Sequence, residues 1–144
     1  MGTDKEIRVT LLRWLDDFSD AVGTRDLPRI LELFGDSAEV SVWPSETSLV
    51  AGPDDVKAFF HSLCGEPFTI SWTWKPRIVA TVGDAGWIAA DGEEIYTIND
   101  DQHRYPYRVT AVFERRGDRW ICVHFHGSEP ATHGEKTSFA PTRG

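Results

Sequence analysis

Two histidines one residue apart, His124 and His126, stand in the run Trp120 to Pro130, WICVHFHGSEP, among residues that favour strands. Alternate side chains of a strand share a face. Both imidazoles therefore point the same way as Trp120 and Cys122, and Val123 and Phe125 point the other. Imidazole has its ordinary pKa near neutrality, so such a pair can shuttle protons, bind an anion or hold a ligand. The same spacing suits two buried, hydrogen-bonded histidines, or two zinc ligands. A zinc site needs at least a third protein ligand. Asp91, Glu93 and Glu94 offer carboxylates without a diagnostic spacing, and no metal is assigned.

The stretch DGEEIYTI supplies a second set, in which Glu94 and Tyr96 share a strand face. Desolvation in an apolar cavity raises the pKa of a carboxyl. Such a group can take a proton from carbon next to a carbonyl while a tyrosine or histidine stabilises the enolate. This is isomerase or cyclase chemistry and implies no cofactor. The catalytic candidates are Glu94, His124 and His126, with Tyr96 and Arg108 as orienting groups. In the other reading Glu94 is a solvated acid, or an ion-paired one near Arg108. Cys64, in HSLCGE, reads as the packed end of an amphipathic face rather than a nucleophile. Ser128 could donate a hydrogen bond, and its neighbours Gly127 and Pro130 also suit an ordinary turn.

Helices come first among the elements that must position these groups. Ile7, Leu11, Trp14, Leu15, Phe18 and Val22 recur at helical spacing over residues 3 to 22, and Thr3 with Glu6 has the form of a capping box. A shorter helix follows Asp26 and stops at Gly35. A short strand spans Ala38 to Trp43, and Gly52-Pro53-Asp54-Asp55 opens a third helix ending at Gly65. From Phe68 the pattern changes to four segments rich in β-branched and aromatic residues, divided by GDAG, NDDQH and GD turn signals. They predict an antiparallel meander packed on the helices, an α+β domain. If Gly117-Asp118 is a two-residue turn, Phe113 faces Cys122, Ala111 faces His124 and Val109 faces His126; one inserted bulge would reverse that register. The tail over residues 131 to 144 is rich in Pro, Gly, Thr and Ser and is expected to be loosely ordered.

The chain has 144 residues, enough for one domain, and a net charge of −8, which opposes the basic stripe that nucleic acid requires. No apolar run reaches the ~20 residues of a membrane span, and MGTDKEIR lacks an apolar signal core, so a cytoplasmic location and no membrane partner are expected. Two cysteines, Cys64 and Cys122, are too few for a disulfide framework. The basic clusters RDLPR and ERRGDR lie beside acids and read as solvated surface.

RVTAVFERRGDRWICVHFHGSEPA, with the two-helix start, the Gly52-Pro53 helix and the late strands, resembles the nuclear transport factor 2-like superfamily. Within it the chain resembles the SnoaL-like domains and the association domain of calcium/calmodulin-dependent protein kinase II. The resemblance places a SnoaL-like domain over residues 1 to 130. It implies a cone-shaped fold, or cystatin-like roll, in which a strongly bent antiparallel sheet wraps around three helices and encloses a pocket. It also implies a homodimer through the outer sheet face. The pocket walls would be Trp14, Phe18, Trp43, Trp72, Trp74 and Trp87, with His124 and His126 as polar groups. Core packing or a dimer interface is the other reading of the tryptophans. Six tryptophans suit a small aromatic or polycyclic ligand. SnoaL-like cyclases and related ketosteroid isomerases use the carboxylate logic described above. A non-catalytic oligomerisation or binding module is the alternative. The pocket arginine of the kinase association domain aligns with Ala111, which counts against anion binding of that kind.

Overall fold

A computed structural model describes residues 3–45 and 47–131. The tail expected to be loosely ordered falls, from position 132, outside the described residues. Helix α1 runs Asp4–Gly23, α2 Leu27–Phe34 and α3 Pro53–Cys64; strands β1 Ser41–Trp43 and β2 Val50–Ala51 are short, and β3 Thr69–Val82, β4 Ala85–Ile98, β5 Asp101–Arg116 and β6 Arg119–Ser128 are long.

Local chemistry accounts for most of these boundaries. The Thr3 hydroxyl accepts from the Glu6 amide at 3.1 Å, and the Glu6 carboxylate accepts from the Thr3 amide at 2.8 Å, closing the capping box on α1. Asp26 caps α2 at Arg29, and Gly35 ends it with φ 71°. Asn99 and Asp100, both at positive φ, turn β4 into β5 in the manner of a tight two-residue hairpin.

The sheet departs from the expected cone-shaped antiparallel wrap. Among the described residues its order is β2-β1-β6-β5-β4-β3, an open six-stranded sheet with β2 and β3 as unjoined edges. It is mixed, because β1 runs parallel to β6, with Ser41, Val42 and Trp43 beside His124, Phe125 and His126. Sequence periodicity could not show this pairing, because it joins segments some 80 residues apart through a strand of only three residues. The fold is therefore α+β with helices on one face of an open sheet, not a closed or strongly curled cone.

The core lies between that face and the helices. Phe18 is its centre, stacked on Trp14 and Trp72 at 5.2 and 5.1 Å and met edge-on by Phe34 and Phe60 at 5.7 and 6.0 Å. Each such pair adds about 0.5–1.5 kcal/mol beyond the area buried. Polar ties fix α1 against β3: the Trp72 amide donates to Ser19 Oγ at 2.7 Å, and Trp74 Nε1 donates to the Leu15 carbonyl at 3.2 Å.

A bulge separates the two faces of β6 from their expected partners. Phe113 faces Cys122 as the hairpin predicts, but the register then shifts, leaving Val123 unpaired and setting Val112 opposite His124, Ala111 opposite Phe125 and Thr110 opposite His126. The expected pairing of Ala111 and Val109 with the histidines is thereby overturned. Phe125 is buried in the core, and both imidazoles lie on the face away from the helices. There Ser41 Oγ lies 2.8 Å from His124 Nδ1, and the His126 ring stacks on Trp43 at 5.4 Å.

Two expectations about stability follow. A Cβ at Gly35 would come within 2.7 Å of Ile121 Cδ1 at a left-handed backbone position, so Gly35→Ala should lower stability in urea by about 1–3 kcal/mol; an unchanged midpoint would contradict the packing of α2 on β6. Burial, and then the neighbouring His126, holds the His124 pKa below the usual imidazole value. Between those two values the unfolded chain takes up a proton that the fold resists, so His124 weakens the fold as pH falls through that window and is neutral above it. Against His124→Asn, the wild type should therefore lose relative stability as pH falls below the ordinary imidazole value of about 6.5, and parallel curves would contradict the burial of that ring.

Candidate functional site

A cavity of about 340 Å³ opens between α1, α3 and the inner sheet face. Phe18 of α1, Phe59, Phe60 and Leu63 of α3, and Val42 of β1 form its helical side and one end. Ile70, Trp72, Glu94, Tyr96, Tyr107 and Phe125 form its sheet side, and Pro44, Ser45, Thr47, Glu66 and Phe68 complete it. Ser45, Thr47 and Glu66 are exposed and make the rim.

Strand alternation brings the sheet residues together. Ile70 and Trp72 share a face of β3, Glu94 and Tyr96 of β4, and the register pairs Ile70 with Tyr96 and Trp72 with Glu94. Glu94 is 4% exposed, and its Oε2 accepts from Trp72 Nε1 at 3.1 Å. A buried carboxylate needs such donors to offset its lost hydration. Trp72 is itself held by the Ser19 ties and by stacking on Trp74 at 5.7 Å, so α1 indirectly sets the position of the carboxylate's donor.

Tyr107 enters from β5, its ring 6.1 Å from Trp72 and 6.3 Å from Trp74. Ser45 Oγ donates to the Tyr107 hydroxyl at 3.2 Å. The phenol lies over Gly127 on β6, where any Cβ would collide with the Tyr107 hydroxyl and ring. A residue without a side chain is thus what lets the phenol lie flat across the neighbouring strand.

The sequence-derived candidates divide between two faces. Phe18, Trp72, Glu94 and Tyr96 line the cavity. Trp14 and Trp74 pack behind it, with Trp14 Nε1 donating to the Leu33 carbonyl at 3.0 Å. Trp43, Trp87, Arg108, His124 and His126 lie outside the cavity; Trp43 and Trp87 are exposed. Arg108 and His126 instead share an outer depression with Arg77, Asp91 and Ser128, and Arg108 Nε donates to Ser128 Oγ at 3.2 Å. Asp91 and Glu93, weighed as metal ligands, are in ion pairs with Arg77 at 2.9 Å and Arg104 at 3.2 Å. The Arg77 hydrogen bond holds Asp91 below the usual carboxylate range. Among the described residues no group of three or more His, Cys, Asp or Glu side chains is placed to hold a metal. Burial pushes the Cys122 thiol far above its ordinary range and raises Cys64 as well, so neither is an activated thiolate.

Tyr107, Phe59, Phe60 and Phe125 were not among the sequence-derived pocket residues. The alternation Tyr107, Val109, Ala111, Phe113 was a usable signal for Tyr107, since all four are buried on one face of β5. The α3 aromatics read as helix core, which they also are.

No helix among the described residues is long and apolar enough to cross a membrane. No curated protein matches the chain in sequence. Solved structures match its fold. One is a proposed dehydratase of the NTF2-like family from Streptomyces avermitilis, with 16% identity, covering 90% of this chain and 100% of that one, at a TM-score of 0.82. Another is a proposed calcium/calmodulin-dependent protein kinase type II association domain from Thiobacillus denitrificans, with 21% identity, 85% and 96% coverage and a TM-score of 0.73. A ketosteroid isomerase-like protein from Erwinia carotovora atroseptica shares 12% identity, with 90% and 100% coverage and a TM-score of 0.73. At such identities the likeness is one of fold. In sequence, the profile of the SnoaL-like domain matches residues 11–132. The chain belongs to the SnoaL-like domain family.

Proposed function

We propose that this chain binds a small, mainly apolar molecule, aromatic or polycyclic, in the cavity between helices and sheet, and moves a proton on it without a cofactor. The observation that carries this reading is the placement of Glu94, a carboxylate 4% exposed on the wall of an otherwise largely aromatic cavity. An acid in such a place is where proton-transfer chemistry is expected.

In the proposed step a Glu94 oxygen takes the proton from a carbon next to a ligand carbonyl, and the C–H electron pair becomes the enolate. A phenol of Tyr96 or Tyr107 donates to the enolate oxygen, which is where charge develops. Returning the proton from Glu94 to a different carbon isomerises the ligand. Attack of the enolate carbon on a second carbonyl of the same molecule closes a ring instead. His124, His126 and Arg108, on the outer face, have no part in this step.

The outer face supports a second copy rather than catalysis. Ile78, Trp87 and Trp43 are exposed there beside Val112, the two histidines and Thr110, a broad apolar surface for one sheet face. A homodimer through this face fits the proposal and leaves one cavity per subunit. The same surface is also the best support for the alternative, a non-catalytic oligomerising module.

Solvent exchange separates the two readings. With an uncharged polycyclic ketone that binds in D₂O, the wild type should incorporate deuterium next to the carbonyl, and Glu94→Gln should slow this by about 10²-fold or more while still binding. No incorporation from a ketone that binds would leave a binding module only. Trp87→Glu should shift sedimentation from dimer to monomer without altering the fold; an unchanged species would contradict a dimer built on this face.

A further inference from the structure

Strand alternation carries the sheet wall of the cavity out beyond its mouth. Glu94, Tyr96 and Ile98 share one face of β4, and Tyr107, Tyr105 and His103 share the same face of β5, where the register sets Glu94 beside Tyr105 and Tyr96 beside His103. Within the cavity this face is buried, and Tyr107 is 4% exposed. Two residues along the strand Tyr105 is 42% exposed, and His103 at the next step is exposed as well. A second depression, of about 360 Å³, lies over this outer part, lined by Phe68, Tyr96, Ile98, His103, Tyr105 and Glu129. Phe68 and Tyr96 line both depressions, so the two spaces meet at those rings. Phe68 lies 5.4 Å from Tyr96, and Tyr96 meets Tyr105 edge-on at 5.9 Å, which makes a stepped aromatic ledge from the inner space to the outer one.

The ledge gains by being covered. Exposed Tyr105 and half-buried Phe68 and Ile98 hold apolar area in water, and covering it is favourable in proportion to the area removed. The inner cavity alone, at about 340 Å³, stands at the lower end of the roughly 300–1,000 Å³ usual for ligand pockets, and the outer depression about doubles the room. A rigid molecule of several rings can span both spaces with few torsions to freeze. A body confined to the inner cavity leaves Tyr105 wet.

We infer that the outer depression is a second subsite of the same ligand site, and that the molecule taken here is elongated. Its reacting end lies in the cavity against Trp72 and Glu94, and a distal aromatic ring leaves the mouth and rests on Tyr105, Ile98 and Phe68. Tyr96, between the two spaces, touches both parts. The inference rests on the cavity being the ligand site, as proposed above, and adds the length of the ligand and the residues that read it. Tyr105 is thereby a specificity-determining residue that never meets the reacting atoms.

Two matched ketones test it, 2-acetylnaphthalene and 2-acetyl-6-phenylnaphthalene, which differ by one ring at the end away from the carbonyl. Each is measured against the whole chain by equilibrium dialysis. The longer ketone should bind at least about 5-fold more tightly, the size expected when one ring face and the ledge beneath it leave water. Tyr105→Ala should bring the ratio of the two affinities close to one, and Tyr105→Phe, which keeps the ring, should preserve it. A ratio near one in the wild type, a ratio that survives Tyr105→Ala, or one lost in Tyr105→Phe would overturn the second subsite and leave the inner cavity as a ligand site. If neither ketone binds, the cavity reading fails and the inference with it.

Discussion

A residue of β6 without a partner on β5 turns the last strand over. At Cys122 the buried side chain still faces the buried Phe113; after Val123 drops out of register, Phe125 occupies the place that strict alternation assigns to His124 or His126. Because strand side chains have a period of two, one extra residue exchanges the faces of everything beyond it. Phe125 then closes the core against Phe18, 4.8 Å away, and the imidazoles move to the face that β1 and Trp43 share. The polar content of the cavity is left to β4 and β5, and this is why Glu94 and Tyr107, rather than the histidines, define it.

Glu94 is a costly residue to place there. An ionised carboxylate away from water is tolerated only with donors, and an unpaired one would change its protonation or disrupt the packing. The indole of Trp72 supplies one donor, and the position of that indole depends on Ser19, on stacking with Phe18 and Trp74, and so on α1 as a whole. Gly127 serves Tyr107 in a similar way, by leaving room for its ring. Side chains that touch the cavity are therefore oriented by residues that do not. Positions such as Ser19 and Gly127 belong to the site in this indirect sense.

Much of the architecture was legible from local signals. The Thr3–Glu6 capping box, Gly35 at a helix end and the Asn99-Asp100 turn are short-range chemistry, and the structure forms each of them. The open, mixed sheet was not legible, because β1 is three residues long and its parallel partner is distant in sequence. Strand alternation puts Glu94 with Tyr96 and Trp72 with Trp74, and the resemblance named Phe18 and Trp72 as walls; the cavity gathers Phe18, Trp72, Glu94 and Tyr96. His124, His126 and the hairpin partners Ala111 and Val109 could not be placed, since whether a strand bulges at Val123 depends on packing that no neighbouring residue announces. Trp43 and Trp87 show the limit of composition: an abundance of indoles suggests large apolar surfaces without saying which face they serve.

Ligand contact with the inner cavity, and not with the outer face, is the central claim. Titrating a bound aromatic ligand while following the Glu94 carboxyl carbon, the Trp72 indole N–H and the His124 and His126 ring signals by NMR tests this directly. The carboxyl and indole resonances should shift together along one saturation curve while both histidine rings stay in place. Histidine signals that move while Glu94 and Trp72 do not would contradict it.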